Sequence, residues 1–122
     1  MDWKSFQDFA GTVMGNHFNT VLSERQPTGC PKKFDYVSPN GEIVGDAKYL
    51  TLVDGHRLPP AKFMEIAGHV WLLEKTPGAK TRFLVFGNQR RVSEWWLEKY
   101  GGLNTLVQFY FLCDDGTLEQ LV

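Results

Sequence analysis

A chain of 122 residues with 43% hydrophobic content matches the size of one compact domain with its own core, so a single domain over 1–122 is expected. The formal net charge of −1 excludes a global pull toward polyanions, and any nucleic-acid contact must come from a local basic patch. Two distant cysteines, Cys30 and Cys113, with no C-x-x-C, exclude a zinc framework and a disulfide scaffold and read as free thiols. The apolar runs are short, and the start Met1-Asp2-Trp3-Lys4-Ser5 lacks the pattern of a secretory signal. A soluble, cytoplasmic protein with no membrane partner is therefore expected.

In chain order, Phe6, Phe9, Ala10, Val13, Met14, Phe18, Val21 and Leu22 recur at helical spacing and predict a first helix from Ser5 to Glu24. Gly11 and Gly15 lie four apart on its polar side and imply close approach of another element or a ligand backbone, crowding against the sheet being the commoner cause. Gln26 to Pro31 breaks the helix and leaves room for a very short extended piece. Lys33 to Val37 and Glu42 to Leu52 then flank Ser38-Pro39-Asn40-Gly41, the signature of a β-hairpin.

After a turn-rich segment, Pro60 opens a second helix whose apolar side is Phe63, Ile66, Ala67, Val70, Trp71 and Leu73. It stops at Lys75-Thr76-Pro77-Gly78, and Thr81 to Phe86 reads as a buried strand. Strand, helix, strand at this spacing implies a crossover, which makes that strand parallel to the Glu42 strand. Val92 to Tyr100 is a third helix, Thr105 to Cys113 a strongly β-prone run, and a turn at Asp114 to Thr117 leads into a last short strand. Adjacent Trp95 and Trp96 on the third helix read as core plus an oligomer contact rather than a base-stacking platform.

The hairpin carries the chemistry. A two-residue Asn40-Gly41 loop places Asp35 opposite Asp46, whereas a four-residue Ser38 to Gly41 loop places it opposite Val44. Both registers leave Asp35, Asp46 and Lys48 on one face with Val37, Val44, Leu50 and Leu52, while Phe34, Tyr36, Ile43, Ala47 and Tyr49 occupy the other. Like charges facing across a strand pair are destabilising, so a cation or a proton is expected between the acids.

Phe34-Asp35 followed by Asp46-Ala47-Lys48 on a hairpin, between a helix and a crossover helix, resembles the PD-(D/E)xK nuclease superfamily over about Ser5 to Phe86. The resemblance implies an α/β, restriction endonuclease-like fold: a central mixed sheet flanked by helices, here with a C-terminal β-hairpin extension. It implies a Mg²⁺- or Mn²⁺-dependent endonuclease acting on nucleic acid, with DNA the expected substrate. Asp35 and Asp46 would bind the metal, the Ala47 backbone carbonyl would join them, and Lys48 would serve the water or the transition state. Oxygen ligands suit hard divalent cations, and a lysine can stabilise charge on a reacting phosphate.

The sequence departs from the family in three places: Phe34 stands for the usual proline, the rarer aspartate, Asp46, fills the (D/E) position with a reach one methylene shorter, and Asn19, four residues after Gly15, stands where many members carry a helix glutamate. Glu24 is the nearest helix acid. Lys62, Glu65 and His69 share one side of the second helix; Lys62 and Glu65 are accessory candidates, although a solvated charge face is the plainer reading of that side. Lys33, His56, Arg57, Arg90 and Arg91 are candidate nucleic-acid contacts, with Lys32, Lys80 and Arg82 as further members of a phosphate-steering patch. Cutting both strands requires a partner, and edge pairing through Thr105 to Val122 would make a homodimer. Three rival readings are a surface ion cluster bridged by Lys48, a catalytically impaired nuclease fold serving as a binding module, and an unrelated α/β interaction domain. Nothing matches a P-loop, a Rossmann fingerprint, H-E-x-x-H or G-x-S-x-G.

Overall fold

The computed structural model describes residues 1–52, 60–103 and 106–122. The elements run α1 (Trp3–Phe18), β1 (Ser23–Arg25), β2 (Phe34–Val37), β3 (Ile43–Leu50), α2 (Pro60–Lys75), β4 (Thr81–Asn88) and α3 (Arg90–Tyr100), followed by a 3₁₀ turn (Gly101–Leu103), β5 (Val107–Leu112) and β6 (Leu118–Gln120). They form one six-stranded mixed sheet in the order β1-β2-β3-β4-β5-β6. The β3–β4 and β4–β5 pairs are parallel and the other three antiparallel. As expected, the architecture is α/β, and the strand after α2 runs parallel to β3.

Two apolar layers sandwich the sheet. Phe6, Ala10 and Met14 of α1 pack on Tyr36, Ala47, Phe83, Val85, Tyr110 and Leu112, and α2 and α3 cover the opposite face through Phe63, Ile66, Val70, Leu73, Val92 and Trp96. Trp71 departs from the expected apolar side of α2: it is 60% exposed, because Phe63, Ile66, Val70 and Leu73 already fill the stripe that meets the sheet.

The first helix ends earlier than its apolar periodicity suggests. Asn19 takes the left-handed conformation at φ 55°, and the Thr20 N–H returns to the Gly15 carbonyl at 2.9 Å. That closing turn accounts for Gly15, where a Cβ would sit 2.8 Å from the Thr20 carbonyl oxygen. Gly11 faces the Tyr36 ring, 3.1 Å from where a Cβ would lie. Both glycines thus serve close approach, one to the turning chain and the other to the sheet.

The hairpin has the register of the shorter loop, with Tyr36 opposite Gly45 and Val37 opposite Val44. The loop is nevertheless longer than two residues, since the Ser38 N–H bonds the Ile43 carbonyl at 2.9 Å and Ser38 Oγ accepts from the Ile43 N–H. Strict alternation fails at the other end of β2. Ser23 pairs with Val37 and Arg25 with Phe34, so two steps along β1 match three along β2. This bulge lets Phe34 join Val37 and Val44 on the α2 side, against the expectation that it would share a face with Tyr36.

The C-terminal segment is also more integrated than an appended hairpin. β5 lies inside the sheet between β4 and β6, and the edge that this segment supplies is the short β6. Thr105 lies outside the described residues. Arg82, expected in a basic patch, instead binds the carbonyls of Leu73 and Thr76 at the end of α2.

Gly45 shows how tightly β3 is fitted. A Cβ there would lie 2.4 Å from the Phe83 ring, which is fully buried and stacked on Tyr36 at 5.8 Å. Gly45→Ala is expected to destabilise the fold by about 1–3 kcal/mol, because a packed ring must leave its place. Urea unfolding of the variant against the parent measures this.

Candidate active site

The bulge turns Asp35 into the seam between β2 and β3, where its backbone would otherwise continue the ladder. Its N–H donates to Asp46 Oδ1 at 2.9 Å. In return, the Ala47 N–H donates to Asp35 Oδ2 at 3.0 Å. Each carboxylate therefore caps the opposite strand, and the two acids occupy a place where backbone hydrogen bonds would normally join the strands. Gln7 of α1 donates to Asp35 Oδ1 at 3.0 Å, and its own carbonyl accepts from Tyr36 Oη at 2.7 Å.

Among the described residues, three of the four carboxylate oxygens thus have a directed N–H donor, and Asp46 Oδ2 has none. Asp46 is wholly buried. Lys32 Nζ lies 3.0 Å from Oδ2, but off the direction of a hydrogen bond, so the contact is a charge pair. His69 Nδ1 of α2 is 3.5 Å from the same oxygen, buried and also without a hydrogen-bond partner. Burial, followed by the nearby Lys48 charge, pushes the His69 imidazolium down to about 4. The ring is neutral at pH 7 and does not compensate Asp46 with charge.

Lys48 follows Asp46 on the same face of β3 and is 11% exposed. Its Nζ pairs with Glu65 of α2 at 3.6 Å, and Lys62 reaches the same carboxylate at 3.3 Å. Burial lowers the Lys48 pKa, while the charges of Asp46 and Glu65 oppose that fall. The Lys62, Glu65, His69 side of α2 is accordingly more than a solvated face. Its inner members, Glu65 and His69, border the acid–lysine cluster.

Other candidates lie elsewhere. Asn19 is the exposed C-cap of α1, and Glu24 is an exposed β1 residue paired with Lys33 at 3.7 Å. The contribution of α1 to the cluster is the Gln7 amide, a residue that the helical pattern marks only as polar. Arg90 pairs with Glu119 of β6 at 2.6 Å and stacks on Phe111, Arg91 lies over Trp95, and Lys80 pairs with Glu42. Among the described residues, Lys32 alone of the expected basic patch reaches the acids. His56 and Arg57 fall outside the described residues.

No family model, curated protein or solved structure matches the chain. Among the described residues no helix is long and apolar enough to cross a membrane. Nor do any three His, Cys, Asp or Glu groups among them converge in a metal-holding cluster. The donor set at the seam is instead two carboxylates. That is the number an ion such as Mg²⁺ takes when it keeps several waters, and an ionised carboxylate bonded to one or two N–H groups retains acceptor capacity.

Asp35 responds to its neighbour. Burial, then the Asp46 charge beside it, raises its carboxyl from 3.8 to about 6. A carboxyl raised in the folded state binds its proton more tightly there than in the unfolded chain. Its contribution to metal-free stability is therefore full below about pH 4 and is lost as pH rises through about 6. Asp46→Asn keeps an acceptor for the Asp35 N–H and removes the charge. Asp35 is expected to titrate lower in that variant, and the loss of stability between these pH values to shrink. Carboxyl ¹³C NMR titration and urea unfolding across the range check the two halves.

Proposed function

We propose that the β2–β3 seam is the active site of a Mg²⁺- or Mn²⁺-dependent endonuclease of the PD-(D/E)xK type, hydrolysing phosphodiesters in DNA. The observation that carries this reading is the buried acid pair with one unsatisfied oxygen, Asp46 Oδ2, followed on the same strand face by Lys48. The order of α1, the hairpin, the crossover helix and β4 supports it, because a restriction endonuclease-like core uses that order to bring two acids and a lysine together.

In this reading Asp35 and Asp46 would hold the cation, with the Ala47 carbonyl as a further oxygen ligand. When bound, it would supply Lewis acidity toward a phosphodiester and water. Asp35 is oriented by Gln7 and Ala47, Asp46 by the Asp35 N–H, so the acids need no reorganisation to offer their oxygens. Lys48 stays beside the scissile phosphate and stabilises the charge that develops on it, while Glu65 holds its ammonium in place. Asp35 also lines a groove of about 430 Å³ between α1 and β1. Severing both strands of a duplex needs two copies of the site, which a homodimer paired along the C-terminal edge would supply.

A second reading is favoured by Lys32, whose charge already compensates Asp46. In it the acids are structural and the protein binds nucleic acid without cutting it. End-labelled single-stranded and duplex DNA and RNA, incubated with Mg²⁺ or with EDTA, separate the two. Mg²⁺-dependent cleavage of DNA is expected, whereas retention of uncut DNA on the protein under both conditions favours the binding module.

A further inference from the structure

We propose that Lys32 is a resident counter-ion of the acid pair, which a divalent cation must displace, so that this side chain sets the threshold for metal loading. The inference rests on reading the seam as a metal site. Lys32 lies in the bend before β2, outside any strand or helix, and its side chain is only 21% exposed. Its Nζ is held by three features: Asp46 Oδ2 at 3.0 Å, the Lys33 carbonyl at 3.0 Å, and the face of the Phe34 ring at 5.2 Å.

The bulge is what makes this arrangement available. By turning Phe34 to the α2 side it places an aromatic face beneath the ammonium on the side that Asp46 also faces. The other polar atom near Oδ2, His69 Nδ1, lies farther off at 3.5 Å, and Lys48 Nζ is paired with Glu65 at 3.6 Å. Among the described residues Lys32 is thus the lysine that contacts Asp46. A metal ion on Oδ2 and an ammonium 3.0 Å from that oxygen repel one another, and the flexible four-carbon stem of a bend residue lets the ammonium leave.

Competition of two cations for one carboxylate is a coupling between sites, so removing one strengthens the other. Isothermal titration of Mg²⁺ and Mn²⁺ into the wild type, Lys32→Met and Lys32→Arg, without substrate, tests the proposal, with melting temperatures read in EDTA and in metal. Lys32→Met is expected to bind metal about tenfold more tightly. It should also melt lower in EDTA and gain more on metal addition, and Lys32→Arg should stay near the wild type. Lys32→Gln serves if the methionine variant does not fold. Unchanged or weaker metal binding in the neutral variants, with clear binding in the wild type, overturns the displacement alone. No metal binding by any of the proteins overturns the metal-site reading and the proposal together.

Discussion

On the proposed nuclease reading, Lys48→Met is expected to lower the kcat for DNA hydrolysis by about 10²- to 10³-fold, the usual cost of removing one preorganised group that meets developing charge. Metal affinity should change little, because Lys48 Nζ contacts Glu65 and makes no direct contact with a carboxylate oxygen of the acid pair. The loss should fall on kcat rather than KM, since an interaction formed mainly in the transition state contributes little to ground-state binding. Methionine keeps most of the apolar stem, so packing is largely retained. Steady-state kinetics paired with calorimetric metal titration read both halves, and a loss of metal binding equal to the loss of rate would reassign Lys48 to organising the acids.

Trp96→Ala is expected to have the largest effect on stability, about 3–5 kcal/mol, the range for truncating a fully buried aromatic. Trp96 is 1% exposed and packs against Tyr100 and Phe109, and its Nε1–H donates to the Phe63 carbonyl of α2 at 3.1 Å. That bond links α3 to the helix carrying Glu65 and His69, so the damage should reach the acid–lysine cluster. Urea unfolding should show a lower midpoint with an unchanged slope, and hydrolysis per folded molecule should also fall.

Much of this arrangement can be read from the residues. The Asn40-Gly41 turn implies the register that sets Tyr36 against Gly45, and the crossover through α2 follows from the spacing of two β-prone runs around a helical one. The local break in β2 is different. Period-two counting assumes an unbroken ladder, and the bulge opposite β1 depends on a partner strand of only three residues, too short to recognise by pattern. Without the bulge, neither the turn of Asp35 into the seam nor the place of Phe34 beneath Lys32 is visible. The spacing from Gly15 makes Asn19 the mark of an absent helix carboxylate, but α1 ends one residue earlier and contributes Gln7 instead. Which polar residue of an amphipathic helix meets a site depends on how the helix docks, and periodicity does not encode that. For the same reason the side of α2 carrying Glu65 and His69 reads as solvated from the pattern alone, because an apolar stripe that includes Trp71 does not encode that Trp71 turns to solvent.

Nicking of supercoiled plasmid by the wild type and by Asp46→Ala, each confirmed as folded and each assayed in Mg²⁺ and in EDTA, tests the central claim most directly. The acid–lysine seam predicts nicking by the wild type in Mg²⁺ alone and none above background by Asp46→Ala. Equal nicking by the two proteins, nicking that persists in EDTA, or an intact plasmid throughout would contradict it.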